Sequence, residues 1–191
     1  MKKPKRGYKN LNHAGIGDVL LISLDNYRDS RGSFTEVYSK RLYDSLSIVG
    51  DYVQDNIVMS YKNALRGLHY QLKHGQGKLV MVVTGEIFHV TVDIRRGSQT
   101  FGQWQGFVLS EKNHFQVFVP PGFAHGYLVL EDKTVVLYKC TEYYVPEDEH
   151  GILWNDPDIG INWPISDPVL SLKDSMLGYL RDMPQGNLPE I

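Results

Sequence analysis

The sequence predicts an all-β fold, a jelly-roll barrel with short helices near its C-terminal end. Three observations carry that expectation. Short β-rich runs recur at close intervals from residue 52 onward, turn signals separate them, and no long helical period intervenes. Closing two sheets on each other also protects strand edges, which favours a jelly roll over an open sheet.

The elements follow in order. Residues 18–24 read as a strand, the polar turn Asp29-Ser30-Arg31-Gly32 follows, and residues 33–38 resume extended structure. Residues 40–46 carry the pattern of a helical turn. Further strands are expected over 52–61, 64–71, 78–84, 86–95, 102–109, 116–119, 126–130 and 134–141. Between them stand His74-Gly75-Gln76-Gly77, Thr84-Gly85, Arg96-Gly97-Ser98 and Pro120-Pro121-Gly122, all turn chemistry. In Phe88-His89-Val90-Thr91-Val92-Asp93, the apolar Phe88, Val90 and Val92 share one face, and His89, Thr91 and Asp93 the other. The tail beyond Pro157 is rich in Pro, Asp and Gly, with one short helical candidate over 171–180.

The 191 residues suit a single domain. Within it we expect a basic tail over about residues 1–15, a jelly-roll core over 18–165 and a C-terminal segment over 166–191. Twenty Lys and Arg against 22 Asp and Glu leave no basic excess for nucleic acid. Lys2, Lys3, Lys5 and Arg6 crowd the start and read as a solvated tail. No apolar run has the length of a signal peptide or a membrane span. The single cysteine, Cys140, excludes an internal disulfide, and the expected compartment is the cytoplasm.

Seven histidines raise a metal first. Pro120-Pro121-Gly122-Phe123-Ala124-His125 is similar to the second half of the metal-binding pattern of cupin barrels. The first half would need two histidines one residue apart. His69 and His74 are five apart across a polar turn, so no metal is expected. In Leu65-Arg66-Gly67-Leu68-His69-Tyr70-Gln71, alternation sets Arg66, Leu68 and Tyr70 on one face and His69 with Gly67 and Gln71 on the other. A histidine on a rigid strand suits proton transfer, because an ordinary imidazole titrates near neutrality; a hydrogen-bonded core histidine is the competing reading. Lys78 is either an oxyanion holder or a solvated strand end. Tyr138, in register with Val136, reads as a core aromatic, and Asp174 as a surface or capping carboxylate. There is no P-loop or Rossmann glycine loop, no nucleophile elbow and no Cys-His arrangement for covalent catalysis.

Taken together, an ordered series of segments resembles the dTDP-4-dehydrorhamnose 3,5-epimerase family. The series begins with Asp29-Ser30-Arg31-Gly32, Val53-Gln54-Asp55-Asn56, the run from Leu65 to Gln71, and Gly77-Lys78-Leu79-Val80. It continues through Val92-Asp93-Ile94-Arg95, Thr100-Phe101-Gly102, Pro121-Gly122-Phe123-Ala124-His125-Gly126 and Leu137-Tyr138-Lys139-Cys140-Thr141. Ile152-Leu153-Trp154-Asn155-Asp156-Pro157, Leu170-Ser171 and Lys173-Asp174 complete it.

The resemblance implies a cupin-type jelly roll, a homodimer, no cofactor, and a nucleotide-diphosphate keto sugar as substrate. It implies epimerisation at C3 and C5 of dTDP-4-dehydro-6-deoxy-D-glucose in dTDP-L-rhamnose formation. By position, His69 matches the proton-abstracting base, Asp174 its orienting carboxylate, Lys78 the group facing the ketone and Tyr138 the proton donor. Arg31 and Arg66 match diphosphate contacts, and Tyr144 the aromatic that stacks on the base. Glu36, Gln54, Asn56, His125, Glu149 and Lys173 match other ligand-lining positions.

Two positions depart from the family's usual pattern. His89 stands where the family usually carries Asp, and an inward-facing imidazole there would alter charge near Lys78, His69 or His125 and retune specificity. Met81 stands where many relatives carry Arg, a change that bears on a subunit interface or on substrate approach. Three rival readings remain: an epimerase acting at C3 or C5 alone, a metal-dependent cupin oxygenase or isomerase using His69, His74, His89 and His125, and a non-catalytic sugar-nucleotide barrel. The base, carboxylate, lysine and tyrosine all being present argues against the last.

Overall fold

The strands divide into two antiparallel sheets whose inner faces meet. In the computed structural model, which describes residues 9–10, 16–48 and 50–191, one sheet has six strands. Its order is β1 (Lys9–Asn10), β2 (Leu20–Ser23), β10 (Phe115–Val119), β7 (Lys78–Thr84), β12 (Thr134–Cys140) and β5 (Gln54–Ser60). The facing sheet runs β13 (Glu149–Gly151), β6 (Leu65–Gln71), β11 (Phe123–Val129), β8 (Glu86–Asp93) and β9 (Trp104–Ser110). A separate hairpin joins β3 (Asn26–Asp29) to β4 (Gly32–Thr35), and two short α-helices, α1 (Lys40–Asp44) and α2 (Leu172–Ser175), lie outside the sheets with three single-turn 3-10 helices. The architecture is the expected jelly roll. The basic residues Lys2, Lys3, Lys5 and Arg6 lie outside the described residues.

Three apolar clusters hold these layers. Between the sheets, Val80, Val82, Val117 and Val136 of one pack on Ile87, Leu109 and Val129 of the other. Outside the six-stranded sheet, Ile22, Leu79, Met81 and Phe118 are covered by Tyr43 of α1 and Ile48. Outside the five-stranded sheet, Leu68, Val90, Val92 and Ile152 are covered by Ile159 and by Leu180 and Leu188 of the C-terminal segment. Burying each such side chain contributes about 1.5–3 kcal/mol. Met81 is thereby accounted for: it is buried under α1, accepts a hydrogen bond from Gln116 Nε2 at its sulfur, and does not reach the cavity.

The alternation expected in β8 holds, but its sense is the reverse of a simple apolar interior. Phe88, Val90 and Val92 turn outward onto the C-terminal cover, while His89, Thr91 and Asp93 are fully buried on the other face. The C-terminal segment makes this possible, since it gives the sheet's outer face an apolar partner.

Several boundaries differ from the sequence expectation. The strand expected at 126–130 is Phe123–Val129, starting directly after the Pro120-Pro121-Gly122 turn. The helix expected over 171–180 is only Leu172–Ser175. Strand β13 was not expected; its three residues carry too little pattern to be read. Within the described residues, no helix is long and apolar enough to cross a membrane.

Candidate active site

The inner faces of both sheets leave a cavity of about 360 Å³ at one end of the barrel. Strict alternation brings most of its lining. On β5, Gln54, Asn56 and Val58 point in while Asp55, Ile57 and Met59 point out, and the burial alternates accordingly. On β7, Lys78 and Val80 face the cavity and Leu79 and Met81 the outer cluster. On β12, Tyr138 and Cys140 follow Val136 inward.

Strand β6 breaks the alternation, and this corrects the sequence reading. Plain alternation puts Arg66 on the face of Leu68 and Tyr70, opposite His69. Instead Arg66 and His69 both line the cavity, and Leu68 and Tyr70 pack in the outer cluster. The pairing with β11 explains it. His69 stands opposite His125 and Arg66 opposite Tyr127, so three steps on β6 match two on β11. The extra residue is a β-bulge, which re-aims the side chains beyond it. Gly67 occupies the bulge with φ of 114°, and a Cβ there would sit 2.6 Å from the Gly126 Cα and the His125 carbonyl oxygen.

Asp174 is neither a surface group nor the helix cap. The cap of α2 is Ser171, whose Oγ accepts from the Asp174 N–H at 3.0 Å. Upstream, Leu65 N–H donates to the Val169 carbonyl at 3.0 Å and ties this segment to β6. The Asp174 side chain is thereby buried against His69, with 2.6 Å between Oδ1 and Nε2. Burial acts to raise this carboxyl. The bond and charge of His69, with donors Ser171 and Gly67, outweigh it and hold the carboxyl below the usual range. An ionised Asp174 accepts the Nε2–H of His69, which leaves Nδ1 as the basic nitrogen. That Nδ1 lies 3.8 Å from Glu149 Oε1, beyond a hydrogen bond.

Lys78 donates from Nζ to Gln76 Oε1 at 2.7 Å. Burial pulls its ammonium below the ordinary lysine range, against the opposing influence of Cys140 and Glu149. Burial pushes the Tyr138 hydroxyl up, so it keeps its proton. His125 lines the cavity on β11, paired behind with His89. At the mouth, Tyr144 is half-exposed, its N–H donating to Gln54 Oε1 at 2.9 Å and its hydroxyl to Glu149 Oε2 at 2.9 Å. Glu149 also accepts from Lys173 Nζ. Arg66 Nε donates to Ser60 Oγ at 3.1 Å.

One cavity thus collects His69, Asp174, Lys78, Tyr138, Gln54, Asn56, Arg66, His125, Tyr144, Glu149 and Lys173. Arg31 and Glu36 are not brought to the cavity of their own chain. Arg31 tips the exposed β3–β4 hairpin, its side chain 88% exposed and bonded to Asp29. His89 faces inward but sits behind His125 rather than in the lining. Sequence reasoning missed Gln76, Tyr127 and Cys140; the last two follow from inward alternation with His125 and Tyr138. His74 is occupied elsewhere, with Nδ1 3.1 Å from an Asp148 carboxylate that also accepts the backbone N–H groups of Lys73 and His74. Among the described residues, no three His, Cys, Asp or Glu side chains converge as a metal site.

A base held by a carboxylate, a buried cation and a protonated phenol in one polar cavity can move protons beside a carbonyl. Known proteins point the same way. The family model described as dTDP-4-dehydrorhamnose 3,5-epimerase matches residues 13–182. The dTDP-4-dehydrorhamnose 3,5-epimerase of Methanothermobacter thermautotrophicus is 46% identical over 172 residues, 88% of this chain and 93% of the relative. That of Pseudomonas aeruginosa is 48% identical over 161 residues, 83% of this chain and 89% of the relative. The crystal structure of dTDP-6-deoxy-D-glucose-3,5-epimerase from Legionella pneumophila, in complex with dTDP-4-keto-L-rhamnose, superimposes with a TM-score of 0.93 at 45% identity. That match covers 96% of this chain and 98% of the other. With fold, cavity and sequence in agreement over nearly its whole length, the chain belongs to the dTDP-4-dehydrorhamnose 3,5-epimerase family.

Proposed function

We propose that this protein inverts C3 and C5 of dTDP-4-dehydro-6-deoxy-D-glucose to give dTDP-4-dehydro-L-rhamnose. The observation that carries the reading is the 2.6 Å bond between His69 and Asp174 in the cavity that Lys78 and Tyr138 also line. Both carbons flank the C4 ketone, so removing either proton places negative charge on the same oxygen. One ammonium, Lys78, can therefore serve both inversions; a single such stabiliser contributes roughly 3 kcal/mol.

His69 takes the proton at Nδ1, and Asp174 orients the ring and supports the imidazolium. Tyr138 returns a proton. Inversion needs base and donor on opposite faces of the sugar, and here His69 belongs to the five-stranded sheet and Tyr138 to the six-stranded one. Arg66 suits a diphosphate through its forked donors. Tyr144 at the mouth suits stacking on the base.

A homodimer is part of the proposal. Strand β5 is a sheet edge in the described residues, and its outward Ile57 and Met59 are 72% and 50% exposed. The hairpin's Phe34 is exposed as well, and a second copy would bring Arg31 and Glu36 to a cavity they do not reach in their own chain. A cytoplasmic setting fits the one free, buried cysteine.

Turnover in deuterated water tests the reaction. Incorporation of deuterium at both C3 and C5 is expected. Label at only one carbon replaces this reading with a single-site epimerase.

A further inference from the structure

Behind the cavity wall lies an imidazole that the proton transfers do not use. His89 of β8 is fully buried, opposite Tyr127 of β11. Its Nε2 is 3.3 Å from Nδ1 of His125, the rings tilted by 32° with centroids 5.5 Å apart. Its other nitrogen, Nδ1, is closed from solvent and has no partner among the described residues.

Two ring nitrogens at hydrogen-bond distance share one proton, so the pair has two arrangements. In the first, His125 donates from Nδ1. Neutral His89 then carries its own proton on Nδ1, a buried N–H without an acceptor, and His125 turns a bare Nε2 into the cavity. In the second, His89 donates from Nε2, its buried Nδ1 is unprotonated, and His125 carries its proton on Nε2. An orphaned buried N–H is the rarer and costlier defect, so the second arrangement is favoured. Both rings are neutral: burial pushes His89 down to about 3, and burial, with Lys78, His89 and His69, holds His125 well below the usual histidine range. A neutral ring keeps one proton, which makes the two arrangements exclusive.

We propose that His89 is a positioning residue, donating Nε2–H to His125 Nδ1 and so fixing His125 as a hydrogen-bond donor from Nε2 into the cavity that Lys78 lines. Its catalytic meaning rests on the epimerase reading. The oxygen that gains charge meets an N–H as well as an ammonium, and a neutral donor adds that bond without a second full charge beside Lys78.

The decisive measurement is ¹⁵N NMR of histidine-labelled, ligand-free wild-type protein near neutral pH, with His125 assigned by the shift of its resonances in His89→Phe. We expect His125 protonated at Nε2 and bare at Nδ1. A proton on His125 Nδ1, alone or with one on Nε2, overturns the proposal. Kinetics add a second readout: His89→Phe keeps an aromatic ring but removes the donor, and should lower kcat about tenfold with KM little changed. His89→Gln, whose amide N–H can take the place of Nε2–H, should recover most of that loss; no recovery overturns the positioning role. Should His89→Phe fail to fold, the His89→Gln and wild-type spectra still decide the tautomer. Since the spectra need no substrate, absence of epimerisation would sink the functional reading alone.

Discussion

At the scale of single residues, the cavity sets two neighbouring groups on opposite courses. Burial lowers the Lys78 ammonium and raises the Tyr138 hydroxyl, because both shifts favour the uncharged form. The proposed chemistry needs Lys78 charged and Tyr138 protonated, and the sign of each shift matters. Tyr138 stays a donor to higher pH than an ordinary phenol. Lys78 loses its charge at lower pH than an ordinary lysine, so that loss draws activity down as pH rises. The alkaline limb of the kcat/KM profile should therefore lie below the usual lysine range. Lys78→Arg, charged at every accessible pH, should lack that limb whatever its absolute rate, and Lys78→Met should lose about 10²–10³-fold in kcat. An unchanged limb in Lys78→Arg would assign it to another group.

At the scale of elements, the site depends on one irregularity that the sequence pattern conceals. Inward positions on β5, β7 and β12 follow a period of two; counting sets Tyr138 on the face of Val136, whereas Gln54, Asn56 and Lys78 are legible as site residues only through the family resemblance. The same counting fails on β6. Nothing in Leu65-Arg66-Gly67-Leu68-His69 announces an inserted residue, and Gly67 is compatible with either a plain strand or a bulge. The bulge is fixed by contact with β11, where Gly67 and Gly126 press backbone to backbone. Asp174 was equally illegible from local pattern, since its meaning comes from a residue 105 positions away. Gly67→Ala probes this directly. A methyl group would meet Gly126 and His125 backbone in a conformation L-residues avoid, so β6 must shift or re-register. We expect a loss of about 1–3 kcal/mol in urea unfolding and a fall in kcat larger than a matched stability loss elsewhere, such as Val136→Ala, produces. Equal kinetic effects from the two variants would detach the bulge from the site.

At the scale of the whole molecule, the β3–β4 hairpin is the part that one chain leaves unexplained. Its turn, Asp29-Ser30-Arg31-Gly32, was among the segments that carried the family resemblance, yet Arg31 is exposed and lines no part of its own chain's cavity. If the hairpin serves the cavity of a second copy, two defective subunits should repair each other in a specific way. Arg31→Ala should lower kcat/KM roughly 10–100-fold, as expected for one charge-assisted contact to a diphosphate. His69→Asn should abolish turnover while ligand binding persists. In a mixed dimer of the two, one cavity receives both defects. The other combines an intact His69 with an intact hairpin and should work normally. Mixing the variants after reversible dissociation should therefore restore activity above that of either alone. If Arg31 acted within its own chain, every cavity would keep one defect and mixing would restore nothing, so the complementation assay separates the two arrangements without a structure of the complex.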